Sequence, residues 1–148
     1  MVDYRLSHMK RSILLIDDSA DDVQLVKEVF AILGEDYELT ATFSGAEALS
    51  NINKGLRCDL IFLDLNMPQM NGFEVLREIR GMSGNKSLTP VIILTNSQSH
   101  EDVARAYLEG ANAYIRKQLG FENMLDYFEK AVNFWFKVAI TPPMIRLY

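Results

Sequence analysis

Asp59-Leu60-Ile61-Phe62-Leu63-Asp64-Leu65-Asn66-Met67-Pro68-Gln69-Met70-Asn71-Gly72 is the stretch whose reading decides the fold. Leu60 to Leu63 is an unbroken apolar run between two aspartates. A run of that length without alternation fits a strand buried on both faces, the usual state in a parallel sheet. Met67-Pro68 breaks the pattern, and Gly72 opens a helical segment that reads to Met82. The unit is therefore a strand, an acidic strand end, a loop and a helix.

The same unit recurs in both directions along the chain. Ser12 to Asp17 and Pro90 to Thr95 are further apolar runs, and Ala113-Tyr114-Ile115 is a shorter one. Tyr37 to Thr42 alternates polar with apolar or small residues, which suits a half-buried edge strand. Between the runs lie helical patterns. Asp21 to Leu33 places Val23, Val26, Phe30 and Leu33 on one face, with Leu25, Val29 and Ile32 widening it. Asp21 and Asp22 suit the start of that helix and Gly34 its end. Ser44 to Asn53 begins with a capping-box pattern, Ser44 and Glu47. Ser99 to Glu109 is stopped by Gly110, and Phe121 to Val138 is the longest helix. Five strands alternating with five helices give an α/β, flavodoxin-like, doubly wound five-stranded parallel sheet with helices on both faces. Right-handed crossovers and the order 2-1-3-4-5 follow as expectations. The domain reads as 12–138, with an extension over 1–11 and a tail over 139–148.

Composition narrows the function. The 148 residues are 49% hydrophobic and 24% charged, enough apolar material for one core and too much for a disordered chain. No apolar run approaches the roughly 18 residues of a membrane span, and Met1 to Arg11 lacks a signal-peptide core. The net charge of −5 offers no general attraction to nucleic acid or anionic lipid. The single cysteine, Cys58, cannot form an internal disulfide, which fits a reducing, cytoplasmic setting.

In a sheet of this order, ligands sit beyond the carboxyl ends of the strands. Asp17 and Asp18, Asp64, Thr95 and Lys117 follow the first, third, fourth and fifth strands. Any one of them alone is an ordinary strand end or cap; Asp21 and Asp22 are read that way. Together, three convergent carboxylates need a cation to offset their repulsion. No His or Cys cluster supports zinc, and hard oxygen ligands suit Mg²⁺. A lysine and a hydroxyl beside that metal complete a site for a phosphoryl group.

These residues are similar to the receiver domain of two-component response regulators. Asp64 to Gly72 matches that family's loop after the third strand almost letter for letter. Asp17-Asp18 matches its acidic pair, Thr95 its switch hydroxyl, Tyr114 its switch aromatic and Lys117 its lysine. The resemblance implies that Asp64 accepts a phosphoryl group from the phosphohistidine of a sensor histidine kinase. It implies Mg²⁺ held by Asp18 directly, by Asp17 mainly through water, by Asp64 and by the carbonyl of Asn66. Lys117 would pair with Asp64 before reaction and with the phosphoryl group after it. Thr95 would move toward the phosphoryl group and let Tyr114 turn inward. The family lysine usually precedes a cis proline. Here Gln118 follows, so the bond is either trans with a rearranged loop or a strained cis bond. Asn96 replaces a usually small residue, and Asn66 and Ser97 occupy positions that tune acyl-phosphate lifetime.

The last helix carries more apolar surface than one core face requires. Phe121, Met124, Leu125, Phe128, Ala131, Val132 and Trp135 suffice to pack on the sheet. Tyr127, Phe134 and Val138 form a flanking stripe. It is either a wide buried face, covered in part by Ile140-Thr141-Pro142-Pro143, or a homodimer or partner interface. The few residues after that helix leave no room for an output domain, so a stand-alone receiver, or a receiver cut from a longer protein, is expected. Asn133-Phe134-Trp135-Phe136 with Thr141-Pro142-Pro143 resembles stand-alone regulators paired with bacterial phytochrome kinases. A relay intermediate is an alternative role. An aspartyl-phosphate phosphohydrolase would usually have a carboxylate two residues after the nucleophile, where Asn66 stands. An FMN-binding flavodoxin would need a Ser/Thr/Gly-rich loop where Asp17-Asp18 would repel phosphate.

Overall fold

A computed structural model describes residues 10–142. Residues 1–9 of the expected extension, and 143–148 of the expected tail including Pro143, lie outside the described residues. Five strands, β1 (Arg11–Ile16), β2 (Tyr37–Thr42), β3 (Leu60–Leu63), β4 (Val91–Thr95) and β5 (Ala113–Arg116), form one parallel sheet in the order β2-β1-β3-β4-β5. The helices are α1 (Ala20–Leu33), α2 (Gly45–Asn53), α3 (Gly72–Arg80), α4 (His100–Leu108) and α5 (Phe121–Asn133). The order is the one that the strand patterns predict.

The pleat divides the apolar runs between two cores. Leu14, Ile16, Ile61, Leu63, Val91 and Ile93 face the side covered by α2, α3 and α4. Ile13, Leu15, Leu60, Phe62, Ile92 and Leu94 face the side covered by α1 and α5. Phe62, Phe128 and Phe30 join sheet, α5 and α1 by edge-on ring contacts at 4.8 and 5.6 Å. Burying each such side chain stabilises the fold by roughly 1.5–3 kcal/mol. The edge strands β2 and β5 are only half-buried, as the alternation in β2 predicts.

Four helix starts carry side-chain caps, of which the sequence marks Ser44. Ser19, Ser44, Asn71 and Ser99 each accept a backbone N–H three residues on. Glu47 returns the favour at α2 by accepting from the Phe43 N–H at 3.1 Å. Two expectations are corrected, and one element is new. Ile32 is 60% exposed rather than widening the buried face, which in this helix is carried by Val23, Val26, Val29 and Phe30. A short 3-10 helix, Gly84–Leu88, precedes β4 without a periodic signal of its own. The last helix is α-helical only to Asn133; Phe134–Val138 is one wider turn, closed by the Ala139 N–H donating to the Phe134 carbonyl at 2.7 Å. Through it Trp135 and Phe136, adjacent in sequence, both pack against the α1–α5 core, and Phe136 meets Tyr37 at 6.0 Å.

Gly72 fixes how closely α3 approaches the end of β3. Its N–H donates to the Leu65 carbonyl at 2.9 Å. A Cβ there would collide with the Asp64 carbonyl oxygen and lie 2.7 Å from Leu65 Cα. Both obstacles are backbone, so neither can turn aside. Gly72→Ala should cost about 1–3 kcal/mol, the range for overpacking a tight site. Urea unfolding measures it; an unchanged midpoint with an unchanged slope would refute the close-approach account.

Candidate functional site

The site forms where β1, β3, β4 and β5 end. Ile16 pairs with Leu63 in parallel register, so Asp17 and Asp64 leave the sheet side by side. The Asp64 N–H donates to the Ile16 carbonyl at 2.9 Å, and the Lys117 N–H to the Thr95 carbonyl at 2.8 Å. These backbone bonds hold the four strand ends at one lip. Asp17, Asp18 and Asp64 each offer a carboxylate oxygen, and the three oxygens lie within 4.8 Å of one another. Asp17 and Asp64 are buried, and Asp18 is exposed. Asp17 is further fixed by the Ser19 N–H, which donates to it at 2.9 Å.

The other residues singled out in the sequence lie around this cluster. Asn66, exposed, donates its backbone N–H to Asp64 at 3.5 Å and its side-chain amide to Thr95 Oγ1 at 3.5 Å. Thr95 is fully buried, and its hydroxyl, which accepts from the Ser97 N–H at 3.4 Å, acts to lower the Asp64 pKa. Tyr114 is half-buried, packed against the α2–α4 core, and its hydroxyl donates to the Ser97 carbonyl at 3.2 Å. Asn96 is exposed. The Lys117–Gln118 peptide bond is trans, which settles the open alternative.

Lys117 lies within ion-pair reach of Asp64 and also bonds two further carboxylates. Its ammonium donates to Asp17 at 2.7 Å and to Asp22 at 2.9 Å, and stands 3.7 Å from Asp64. Asp22, read in the sequence as a helix-start residue only, thus belongs to the site. Burial alone would lower the Lys117 pKa. The hydrogen bonds to Asp17 and Asp22 and the charges of Asp17 and Asp64 outweigh it, and the net shift is upward. Burial pushes the Asp64 carboxyl up to about 6; Lys117 pulls against this, Asp17 adds to it, and bonds from Asn66 and Thr95 oppose it. A carboxylate so placed gains from any added positive charge.

The flanking stripe does not behave as one surface. Phe134 and Val138 are 49% and 73% exposed, but Tyr127 packs within the α1–α5 core against Phe128. Its hydroxyl is buried without a hydrogen-bond partner, in the field of Lys117, Asp22 and Asp17.

The donor set fits a hard divalent cation. It offers carboxylate oxygens only, grouped closely, with one of them open to solvent. Among the described residues no helix is long and apolar enough to cross a membrane.

Comparison with known proteins agrees with this geometry. The family model described as response regulator receiver domain matches residues 13–129. The response regulator Rcp1 of Synechocystis is 32% identical over 142 residues, 92% of this chain and 96% of that protein. The structure of the phosphorylated cyanobacterial phytochrome response regulator RcpA superposes with a TM-score of 0.83 at 28% identity, covering 90% of this chain and 99% of that one. The Mn²⁺-bound form of Rcp1 gives a TM-score of 0.80 at 31% identity with the same coverage.

Proposed function

The chain belongs to the response regulator receiver domain family, and from that premise we propose that Asp64 is its phosphoacceptor, supplied by a sensor histidine kinase of the phytochrome type. The observation that carries this is the convergence of Asp17, Asp18 and Asp64 within 4.8 Å, with Lys117 and Thr95 at the same carboxylate. The kinase type rests on the phytochrome regulators among the similar structures.

In this reading Asp18, Asp64 and the Asn66 carbonyl would hold Mg²⁺ directly and Asp17 mainly through water. The cation supplies positive charge for the phosphoryl oxygens. An Asp64 carboxylate oxygen attacks phosphorus as the bond to the donor's imidazole nitrogen breaks, and the nitrogen keeps the electron pair. Lys117 swings from its aspartates to a phosphoryl oxygen, and the Thr95 hydroxyl turns to donate to another. Catalysis is then positioning and charge neutralisation. The acyl phosphate carries about −2 where the carboxylate carried −1, and it presents new acceptor oxygens. As Thr95 moves, Tyr114 leaves the Ser97 carbonyl and turns into the space behind it. The surface formed by α4, β5 and α5 changes with it, a shift between two packings of one fold. Association of two copies through Phe134 and Val138 belongs to the same reading; Tyr127 has no part in it.

Incubation with acetyl phosphate and Mg²⁺, followed by intact mass and size measurement, tests both statements. One added phosphoryl group, lost on mild alkali, is expected, with a larger hydrodynamic size. An unmodified mass would refute the phosphoacceptor. A monomer at high concentration in both states would refute the association.

A further inference from the structure

We propose that Asp22 is a positioning residue that holds Lys117 off Asp64, so that the acceptor must compete with a second anion for its own lysine. This deepens the phosphoacceptor reading and rests on it. The Lys117 ammonium makes two short bonds, to Asp17 at 2.7 Å and Asp22 at 2.9 Å, and stands back from Asp64 at 3.7 Å. The lysine head has three protons, and two of them are committed away from the acceptor.

The setting makes that competition strong. The Lys117 side chain is 9% exposed, so the pair is only partly screened by water. The buried Tyr127 hydroxyl, in the field of Lys117, has no hydrogen-bond partner and offers the ammonium no substitute. Asp17 belongs to the proposed metal ligands, and a cation there would share its charge. Asp22 does not; it sits in the first turn of α1, outside the proposed metal ligands. Of the two anions on Lys117, it alone continues to hold the lysine back when the phosphoryl group arrives. Asp22 does not serve as a cap through its side chain, since Ser19 Oγ accepts from the Asp22 backbone N–H. A substitution therefore leaves the start of α1 intact.

The test compares wild type, Asp22→Asn and Asp22→Ala, with each change repeated in a Lys117→Met background. Phosphoryl uptake from phosphoramidate with Mg²⁺, followed by intact mass, should rise about fivefold in both Asp22 variants, the scale of one partly exposed ion pair. It should not change when Lys117 is already methionine. In the metal-free protein, competitive acetylation with acetic anhydride should label Lys117 several-fold faster in Asp22→Asn, relative to the other lysines of the same molecule. Unchanged or slower uptake in Asp22→Asn overturns the proposal, as does an effect that persists in Lys117→Met. Should wild type take up no phosphoryl group at all, the phosphoacceptor reading fails, and the acetylation still decides whether Asp22 holds Lys117: faster labelling upholds that contact and equal labelling overturns it.

Discussion

Asp64→Asn should abolish phosphoryl uptake from acetyl phosphate without unfolding the protein. The amide matches the carboxylate in shape and can keep an oxygen toward the Asn66 N–H and the Thr95 hydroxyl. It lacks the charged oxygen that attacks phosphorus, so the loss is expected to be complete rather than partial. Stability should move in the opposite direction. The folded-state pKa of Asp64 is raised to about 6 from an ordinary carboxylate value of 3.8, chiefly by burial. The native protein therefore binds this proton more tightly than the unfolded chain between those values, and its stability falls as pH rises through that window. At pH 7 the metal-free wild type bears that cost and the asparagine variant does not. Lys117 loses one distant partner and keeps Asp17 and Asp22. Urea midpoints at pH 7 should thus be equal or higher in Asp64→Asn, and the gap should close as pH falls from about 6 toward 4. Phosphate labelling that survives in Asp64→Asn would reject the acceptor, whatever the stability.

The parts of this site that sequence can display are those whose neighbours in space are set by a regular pattern. β1, β3 and β4 are unbroken apolar runs, and a parallel sheet brings their carboxyl ends to one lip. Asp17, Asp18, Asp64, Thr95 and Lys117 could be grouped on that ground before any coordinate. Asp22 could not. It lies on the first turn of a helix, where an acidic residue already has a local reason to be, and its partner is 95 residues away in the chain. No periodicity marks a contact of that kind. Tyr127 is hidden from a sequence pattern for a related reason. A helix wheel assigns it to a flank, but α5 packs tightly enough against α1 to take its ring inside. The wide turn at Phe134–Val138 was equally hidden, because it changes the backbone without changing the spacing of the apolar residues before it.

Arg80 carries the second large expectation, and it lies at the other end of the sheet. It is the last residue of α3. In the fold it is half-buried, and its guanidinium donates four hydrogen bonds to oxygens of three neighbouring segments. Nε reaches the Gly110 carbonyl at 2.9 Å, and Nη1 the Ser87 and Thr89 carbonyls at 3.0 and 2.8 Å. Nη2 reaches Asn112 Oδ1 at 2.8 Å, and that same oxygen accepts the N–H of Val91, the first residue of β4. One side chain thus ties the end of α3 to the entries of both β4 and β5. The approach is close enough that a Cβ on Gly110 would stand 3.0 Å from Arg80 Nε, and Gly110 also has a φ of 105°. Burial lowers the Arg80 pKa, yet a guanidinium stays charged at any pH where the protein folds. Arg80→Met keeps much of the stem and removes every donor. At about 1 kcal/mol for each acceptor left without its partner, the loss should be about 3–5 kcal/mol, a large share of the stability of a domain this size. Arg80→Lys should recover little of it, because a single ammonium cannot span four acceptors that a planar fork reaches. Urea unfolding gives the magnitude, and amide exchange at Val91 should accelerate with it. A loss below about 1 kcal/mol in Arg80→Met would mean that water replaces the guanidinium freely. Because Val91 and Thr95 are opposite ends of β4, phosphoryl uptake per folded molecule should be unchanged in Arg80→Met, which separates this residue's work from that of the acidic cluster.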